Sequence, residues 1–159
     1  MKKIVLIRHS NAEPGGFSTP DFDRKLSAKG RERAVLQANT LLNNSGIPDL
    51  IITSNAKRAH ETALIFSEIL NKNCPIQQVP FLYEDFATSD FFNLINGIND
   101  SYNNIIVIGH NPTISVMASK LDSDELFSFK PCAMCIFEVG NKWGDVDIAD
   151  GNLISFIAP

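Results

Sequence analysis

Along most of the chain, short continuous apolar runs alternate with segments in which apolar residues recur at helical spacing. The runs at residues 3–7, 50–53 and 104–108 are rich in β-branched side chains and predict buried strands, and residues 76–79 predict a weaker strand. A strand that is apolar on both faces must be covered on both faces. The pattern therefore predicts a mostly parallel sheet with helices on its two sides.

Four helices are predicted between these strands. The first follows Ser27, a residue type that caps helix N-termini, and the second is predicted to begin at a cap formed by Ser54 or Asn55. Residues 90–98 predict a third helix, and residues 110–120 predict a fourth with a proline in its first turn. The buried faces predicted for the first two helices consist of Ala34, Val35, Ala38, Leu41 and Leu42, and of Ala59, Ala63, Phe66 and Leu70.

The C-terminal part of the chain changes to apolar runs separated by short turns that contain Gly and Asp. The runs at residues 132–139, 146–148 and 153–157 predict strands joined as hairpins. Strands joined in this way are antiparallel, so we expect them at an antiparallel edge of the sheet. The predicted fold class for residues 1–159 is α/β: a single three-layer αβα domain with a mostly parallel sheet and antiparallel C-terminal edge strands.

The composition is that of an ordinary globular protein. The 159 residues are 44% hydrophobic and 20% charged, which supplies a core that needs no disulfide or metal. A net charge of −4 gives no general attraction to nucleic acid or to an anionic membrane. Lys2-Lys3 precede an apolar run that is too short for a signal-peptide core, so a cytoplasmic location is expected. Cys132 and Cys135 have C-x-x-C spacing, but on a predicted strand they should face opposite sides, which disfavours a redox or zinc role.

Cationic and imidazole side chains follow the predicted parallel strands at their carboxyl ends. Arg8 and His9 come directly after the first strand. Arg58 lies at the helix start after the second strand, and His110 follows the fourth. Ligands bind beyond the carboxyl ends of such strands, so these side chains are expected to converge. Each alone could be a structural hydrogen bond or a surface ion pair, but together they predict a cationic phosphate site.

This set of residue types supports phosphoryl transfer without a metal or another cofactor. A neutral imidazole nitrogen is a good nucleophile toward phosphorus at neutral pH. Guanidinium groups offset the charge on the transferring phosphoryl oxygens, and a second histidine can hydrogen-bond one of those oxygens. A carboxylic acid can protonate the leaving group, and the third strand is followed by Glu84 and Asp85.

Four separated motifs resemble, in the same order, those of the histidine phosphatase superfamily, which is also called phosphoglycerate-mutase-like. Arg8-His9-Ser10 resembles the family's Arg-His-Gly, in a variant similar to its short branch, typified by SixA-type phosphohistidine phosphatases. Residues 20–30 resemble the segment before the family's first helix. Residues 54–63 resemble its Ser-Pro-x-x-Arg-Ala-x-x-Thr-Ala segment, with asparagine in place of proline. Gly109-His110-Asn111-Pro112 matches without change, so the resemblance covers residues 1 to about 120.

The resemblance implies a phosphoglycerate-mutase-like fold and a role for each matching residue. It implies that His9 is the nucleophile and that Arg8, Arg58 and His110 bind the phosphoryl group. The activity implied is that of a metal-independent phosphatase with a phosphohistidine intermediate. A non-catalytic phosphoprotein-binding module remains an alternative, and a mutase is less expected because it needs a closed pocket to exclude water.

Two further assignments follow from the resemblance. The family's acid often follows a Leu-x-Glu pattern, and Leu82-Tyr83-Glu84 fits it, which favours Glu84 over Asp85. Arg24 is expected either to reach the phosphate or to form an ion pair with Asp21 or Asp23.

The substrate is expected to be a phosphohistidine protein, with a small phosphate ester as the alternative. Larger members of the superfamily close the site with an insertion after the third strand. Here the segment between residues 79 and 104 is short, so the site should be open. No nucleic acid and no membrane are expected as partners.

Overall fold

The structure, a computed structural model, describes residues 1–123 and 126–159. These residues contain six strands and four α-helices. The strands are β1 (Lys2–Arg8), β2 (Leu50–Thr53), β3 (Ile76–Gln78), β4 (Asn104–Gly109), β5 (Met134–Val139) and β6 (Asn152–Ile157). The helices are α1 (Ala28–Ser45), α2 (Lys57–Leu70), α3 (Thr88–Asn96) and α4 (Thr113–Leu121). Short 3₁₀ turns occur at Asp21–Asp23, Pro80–Tyr83 and Trp143–Asp145. None of the helices in these two ranges is long and apolar enough to cross a membrane.

The six strands form one mixed sheet in the order β3-β2-β4-β1-β5-β6. The pairings among β1 to β4 are parallel, β5 is antiparallel to β1, and β6 is antiparallel to β5. This arrangement confirms the predicted α/β fold, with its antiparallel strands supplied by the C-terminal part of the chain. Because β4 lies between β2 and β1, the carboxyl ends of these three strands meet at one edge of the sheet.

The continuous apolar runs form central strands because alternate residues enter two separate cores. In β1, Ile4 packs on the face covered by α3 and α4, and its neighbour Val5 packs on the face covered by α1 and α2. The same alternation places Cys132 and Cys135 on opposite faces of the sheet, as predicted, and both residues are buried. The sheet is therefore the middle of three layers.

The buried face of α1 is narrower than the apolar pattern predicts. Ala34, Ala38 and Leu41 are buried as expected, but Val35 and Leu42 are 42% and 39% exposed. A helix on a sheet buries one stripe, and these two residues each lie one position past that stripe, on the flank of the helix. The stripe predicted for α2 is buried throughout.

Residues 146–148 do not form the predicted strand. The connection between β5 and β6 instead contains the 3₁₀ turn at Trp143–Asp145. The Asn96 side chain donates to the carbonyls of Trp143 and Val146 at 2.8 and 2.9 Å, so these backbone groups bind α3 and not a neighbouring strand. The predicted hairpin between residues 139 and 146 therefore does not form, and these residues belong to the longer connection between β5 and β6.

Helix α2 begins without a side-chain cap from either predicted residue. Its N-cap is Ala56. Ser54 Oγ accepts a hydrogen bond from the Ala56 backbone N–H at 3.1 Å and lies 2.8 Å from His110 Nε2, so this hydroxyl links the start of α2 to the end of β4. In α4, Pro112 directly precedes the first helical residue, where the prediction placed it within the first turn.

Candidate active site

Two histidines are neighbours in space because the strands before them are neighbours in the sheet. β1 and β4 pair in parallel with Arg8 opposite Gly109, so His9 and His110 leave the sheet side by side. The His9 backbone N–H donates to the Gly109 carbonyl at 3.0 Å. The two ring centroids are 4.9 Å apart, and both side chains are buried. The predicted convergence at this edge follows from this register.

The loop after β1 is tied to α1 and α2 through Ser10. Its backbone N–H donates to Thr62 Oγ1 at 3.1 Å, and its hydroxyl donates to the Gly30 carbonyl at 2.7 Å. A Cβ atom on Gly30 would lie 1.9 Å from the carbonyl oxygen of Asn11, so only glycine lets α1 approach this loop so closely. The backbone on both sides of His9 is therefore held in place.

Arg58 enters the site from the first turn of α2. Its Nε donates to His9 Nε2 at 3.4 Å. Its Nη1 and Nη2 donate to the backbone carbonyl and the carboxylate of Asp21, at 2.7 and 3.1 Å. The Arg58 side chain is 8% exposed, so this guanidinium is a buried cation beside an imidazole.

The hydrogen bonds of His9 define which nitrogen carries its proton. Nδ1 lies 2.7 Å from the Ser10 carbonyl oxygen, which can only accept, so Nδ1 holds the hydrogen and Nε2 holds the lone pair. Burial, aided by the nearby positive groups, lowers the pKa of His9 to about 3. At neutral pH this imidazole is therefore uncharged, and its Nε2 is able to act as a nucleophile.

His110 is a second neutral imidazole in the site. Burial is the main cause that lowers its pKa to about 4, and the charge of Arg58 lowers it as well. Its Nε2 lies beside the Ser54 hydroxyl, and its buried Nδ1 has no hydrogen-bond partner within the described ranges.

Arg8 is anchored to the segment that precedes β5. Its Nη1 donates to the Phe129 carbonyl at 2.9 Å, and Asn111 Nδ2 donates to the same oxygen at 2.9 Å. The buried Nε of Arg8 has no partner in the part of the chain that the structure describes. Burial and, after it, the charge of Arg58 lower the pKa of Arg8.

Asp21 connects the cationic side chains at the edge of the site. Arg24 forms the predicted ion pair with it, Nη1 to Oδ1 at 3.0 Å, and also lines the cavity. Tyr83 donates its hydroxyl to Asp21 Oδ2 at 2.8 Å. This hydrogen bond is the largest of the effects that lower the pKa of Asp21 to about 2, and the arginines contribute further.

An open cavity of about 330 Å³ lies at the carboxyl edge of the sheet. Of the described residues that line it, three are arginines, two are histidines and none is Asp or Glu. The residues that line it are Arg8, His9, Asn11, Ala12, Arg24, Arg58, His110, Asn111 and Pro131. A tetrahedral oxyanion is the chemistry that this lining suits. Within residues 1–123 and 126–159, no group of three or more His, Cys, Asp or Glu side chains could hold a metal ion.

Glu84 and Asp85 do not line this cavity. Both are exposed beyond the 3₁₀ turn at Pro80–Tyr83. The preceding residue, Tyr83, is the one that reaches the site, with its ring 5.5 Å from that of His110. No sequence motif signals a role for Tyr83, and the sequence predicts Asp21 only as a partner of Arg24.

A model of the histidine phosphatase superfamily (branch 1) matches residues 4–91, more than half of the chain. The chain belongs to this superfamily and is a phosphatase of it.

The alignments with similar proteins cover nearly the whole chain. The uncharacterized protein Rv1276c of Mycobacterium tuberculosis (strain H37Rv) is 29% identical over 164 aligned residues, which cover 96% of this chain and 99% of that protein. The structure of SixA from Agrobacterium tumefaciens is similar with a TM-score of 0.84 at 22% identity, covering 99% of this chain and 98% of that one. The protein histidine phosphatase SixA complexed with tungstate is similar with a TM-score of 0.85 at 18% identity, covering 98% and 96%.

Proposed function

We propose that the protein hydrolyses phosphohistidine in a protein substrate through a phosphohistidine intermediate on its own His9. The observation that carries this proposal is the state of His9. It is a neutral imidazole with its lone pair on Nε2, and it faces a cavity lined by Arg8, Arg24 and Arg58. A nucleophile beside fixed cations is what transfer of a phosphoryl group requires.

In the first step, His9 Nε2 attacks phosphorus, and the bond from phosphorus to the leaving nitrogen breaks. Arg8 and Arg58 offset the charge on the equatorial oxygens, and His110 hydrogen-bonds one of them. In the second step, a water molecule attacks the phosphorus bound to His9, the bond from phosphorus to Nε2 breaks, and the hydrogens of that water leave with the phosphate. Inorganic phosphate leaves, and Nε2 recovers its lone pair.

The arginines supply the positive charge that a metal ion provides in many phosphoryl transfer enzymes. We therefore expect full activity in EDTA without added metal. Loss of activity in EDTA with recovery in Mg²⁺ or Mn²⁺ would refute this part of the proposal.

Two features favour phosphohistidine over an alkyl ester as the substrate. The segment between β3 and β4 packs Phe91 and Ile95 into the core, so it does not supply a large cover for the site. Among the residues that the structure describes, none of those lining the cavity carries a carboxyl group, and the adjacent Asp21, with a pKa of about 2, is ionised and cannot donate a proton at neutral pH. Imidazole leaves readily as a neutral group once its ring is protonated, whereas an alkoxide needs an acid.

The test is a rapid-quench experiment with ³²P-labelled phosphohistidine protein, run beside aryl and alkyl phosphates in EDTA. We expect an acid-labile, alkali-stable label on His9 and release of phosphate. Folded His9→Ala should lose essentially all turnover, and His60→Ala, the control at the remaining histidine, should retain it. Near-normal turnover in His9→Ala would contradict the mechanism.

The same experiment separates the alternatives. A small-molecule phosphatase would prefer a phosphate ester to the labelled protein. A non-catalytic binding module would retain the phosphoprotein or vanadate without releasing phosphate.

A further inference from the structure

A single carboxylate joins side chains from three parts of the chain at the edge of the cavity. Asp21 Oδ1 accepts from Arg24 Nη1 at 3.0 Å, and Oδ2 accepts from Arg58 Nη2 at 3.1 Å. The Tyr83 hydroxyl donates to the same Oδ2 at 2.8 Å. The Asp21 backbone carbonyl also accepts from Arg58 Nη1 at 2.7 Å. Asp21 thus meets Arg58 with both its main chain and its side chain.

These contacts occupy one edge of the Arg58 guanidinium and leave another edge directed at His9. A guanidinium can bind an oxyanion through its end edge, Nη1 with Nη2, or through its side edge, Nε with Nη2. Asp21 takes the end edge. On the side edge, Nε donates to His9 Nε2 at 3.4 Å. Asp21 therefore holds the guanidinium with its side edge toward the atom that would attack phosphorus.

Asp21 itself lies outside the cavity. It is absent from the cavity lining, whereas Arg24 and Arg58 both belong to it. The carboxylate therefore contacts both arginines without lining the cavity itself. Its contacts orient the cations without competing for the anion.

We propose that Asp21 is a positioning residue that fixes the plane of the Arg58 guanidinium, with Tyr83 holding Asp21 in turn. The inference rests on the proposed role of His9 as nucleophile and of Arg58 as a ligand of the phosphoryl group. A free arginine side chain samples many rotamers, and a small misplacement of a catalytic contact lowers the rate steeply. The Asp21 side chain is 55% exposed, so its ion pairs add little to stability, and its effect should appear in catalysis.

The first test compares Asp21→Asn with Asp23→Asn. Asp23 lies in the same 3₁₀ turn and is exposed, so the two variants change the net charge equally. We expect Asp21→Asn to lower kcat about 10- to 100-fold, with KM within about threefold, because the loss concerns alignment in the transition state. Asp23→Asn should stay within about twofold of the wild type. An unchanged kcat in Asp21→Asn, an increase in it, or an equal loss in both variants would overturn the proposal.

The second test needs no turnover. The ¹⁵N signal of His9 Nε2 reports the hydrogen bond from Arg58 Nε, and it should move in Asp21→Asn and, by less, in Tyr83→Phe, but not in Asp23→Asn. A signal that stays in place in Asp21→Asn and Tyr83→Phe would overturn the positioning role. If Asp21→Asn fails to fold, Tyr83→Phe carries both tests, with an expected loss of kcat of about two- to tenfold. If the wild type shows neither turnover nor a phosphoenzyme, the proposed function fails, and the NMR comparison still decides whether Asp21 orients Arg58.

Discussion

At the scale of single residues, the chemistry of the site depends on the charge state of His9. Burial and neighbouring positive groups lower the pKa of His9. The hydrogen bond to the Ser10 carbonyl raises it, but by less, so the ring stays neutral. The result is a nucleophile that needs no separate base. Arg8 is partly buried beside the charge of Arg58, which disfavours two guanidinium charges in one place. Binding of an anion there would offset this repulsion.

Arg58→Lys tests whether the guanidinium geometry matters beyond its charge. Lysine keeps the charge but loses the fork that donates to His9 and Asp21 together. We expect kcat/KM to fall about ten- to a thousandfold, the range for one electrostatic contact in the transition state. Arg31→Lys, at an exposed ion pair with Glu61, is the matched control and should change little. If Arg58→Lys alters only thermal stability, Arg58 is a structural residue.

Glu84→Gln tests the acid that the family resemblance implies. This exposed residue does not line the cavity, so any contribution must come when a substrate is bound. If Glu84 donates a proton, kcat should fall strongly on an alkyl phosphate, less on an aryl phosphate and little on phosphohistidine protein, following the need of each leaving group. Equal losses on all three would indicate a positioning role. A loss seen only in Asp85→Asn would identify the other carboxylate as the acid.

At the scale of elements, the site depends on how closely α1 approaches the end of β1. Gly30 is the third residue of α1, and its carbonyl accepts the Ser10 hydroxyl at 2.7 Å. The loop that carries His9 is therefore positioned by a helix that itself supplies no residue with a proposed catalytic role. The parallel register of β1 and β4 then sets the distance between the two histidines.

Gly30→Ala should disturb both the fold and the site. Alanine favours a helix by about 1 kcal/mol over glycine, but a Cβ 1.9 Å from the Asn11 carbonyl oxygen forces backbone apart. We expect a net loss of about 1–3 kcal/mol in the free energy of unfolding, measured in urea, together with a lower kcat/KM. Gly16→Ala, where a Cβ meets nothing within 4 Å, should leave both nearly unchanged. Equal effects of the two substitutions would mean that this contact does not position the loop.

At the scale of the whole molecule, an acidic protein concentrates positive charge at one edge of its sheet. The formal net charge is −4, yet three arginines line one cavity. Holding those cations together requires that the histidines stay neutral and that Asp21 stay ionised. Because His9 and His110 are buried beside these cations, protonating them should lower the stability of the fold in acid.

The free energy of unfolding should fall as the pH is lowered from 6.5 toward 4. His9 and His110 have pKa values of about 3 and about 4 in the folded protein, against an ordinary histidine value of 6.5, so the unfolded chain binds more protons in this window. Each group should contribute a slope of about 1.4 kcal/mol per pH unit between its two pKa values, with little change above pH 7. Urea unfolding at several pH values measures this slope, and His110→Asn should reduce it. An unchanged slope in that variant would show that His110 is not neutral in the folded state.

The amino-acid sequence by itself determined the layers of the fold and the identity of the main site residues. Runs such as residues 104–108 can be buried only in a sheet covered on both faces, and Ser27 caps α1 as its residue type predicts. The side chains at the ends of parallel strands must share an edge, which is why Arg8, His9 and His110 could be placed together in advance.

Only the tertiary structure decided the contacts between residues far apart in the chain. No local pattern predicts the hydrogen bond from Tyr83 to Asp21 or the contact between Ser54 and His110. The sequence also does not show that residues 146–148 lie outside the sheet, with the Val146 carbonyl bound to Asn96. The sequence also does not reveal that Val35 lies on the flank of α1. Apolar spacing shows which face of a helix is buried, but it does not show how wide that buried face is. Periodicity and strand order determine the path of the backbone and can be read from the sequence. The orientation of Arg58 and the charge state of His9 depend on burial and on partners that come together only in the folded chain.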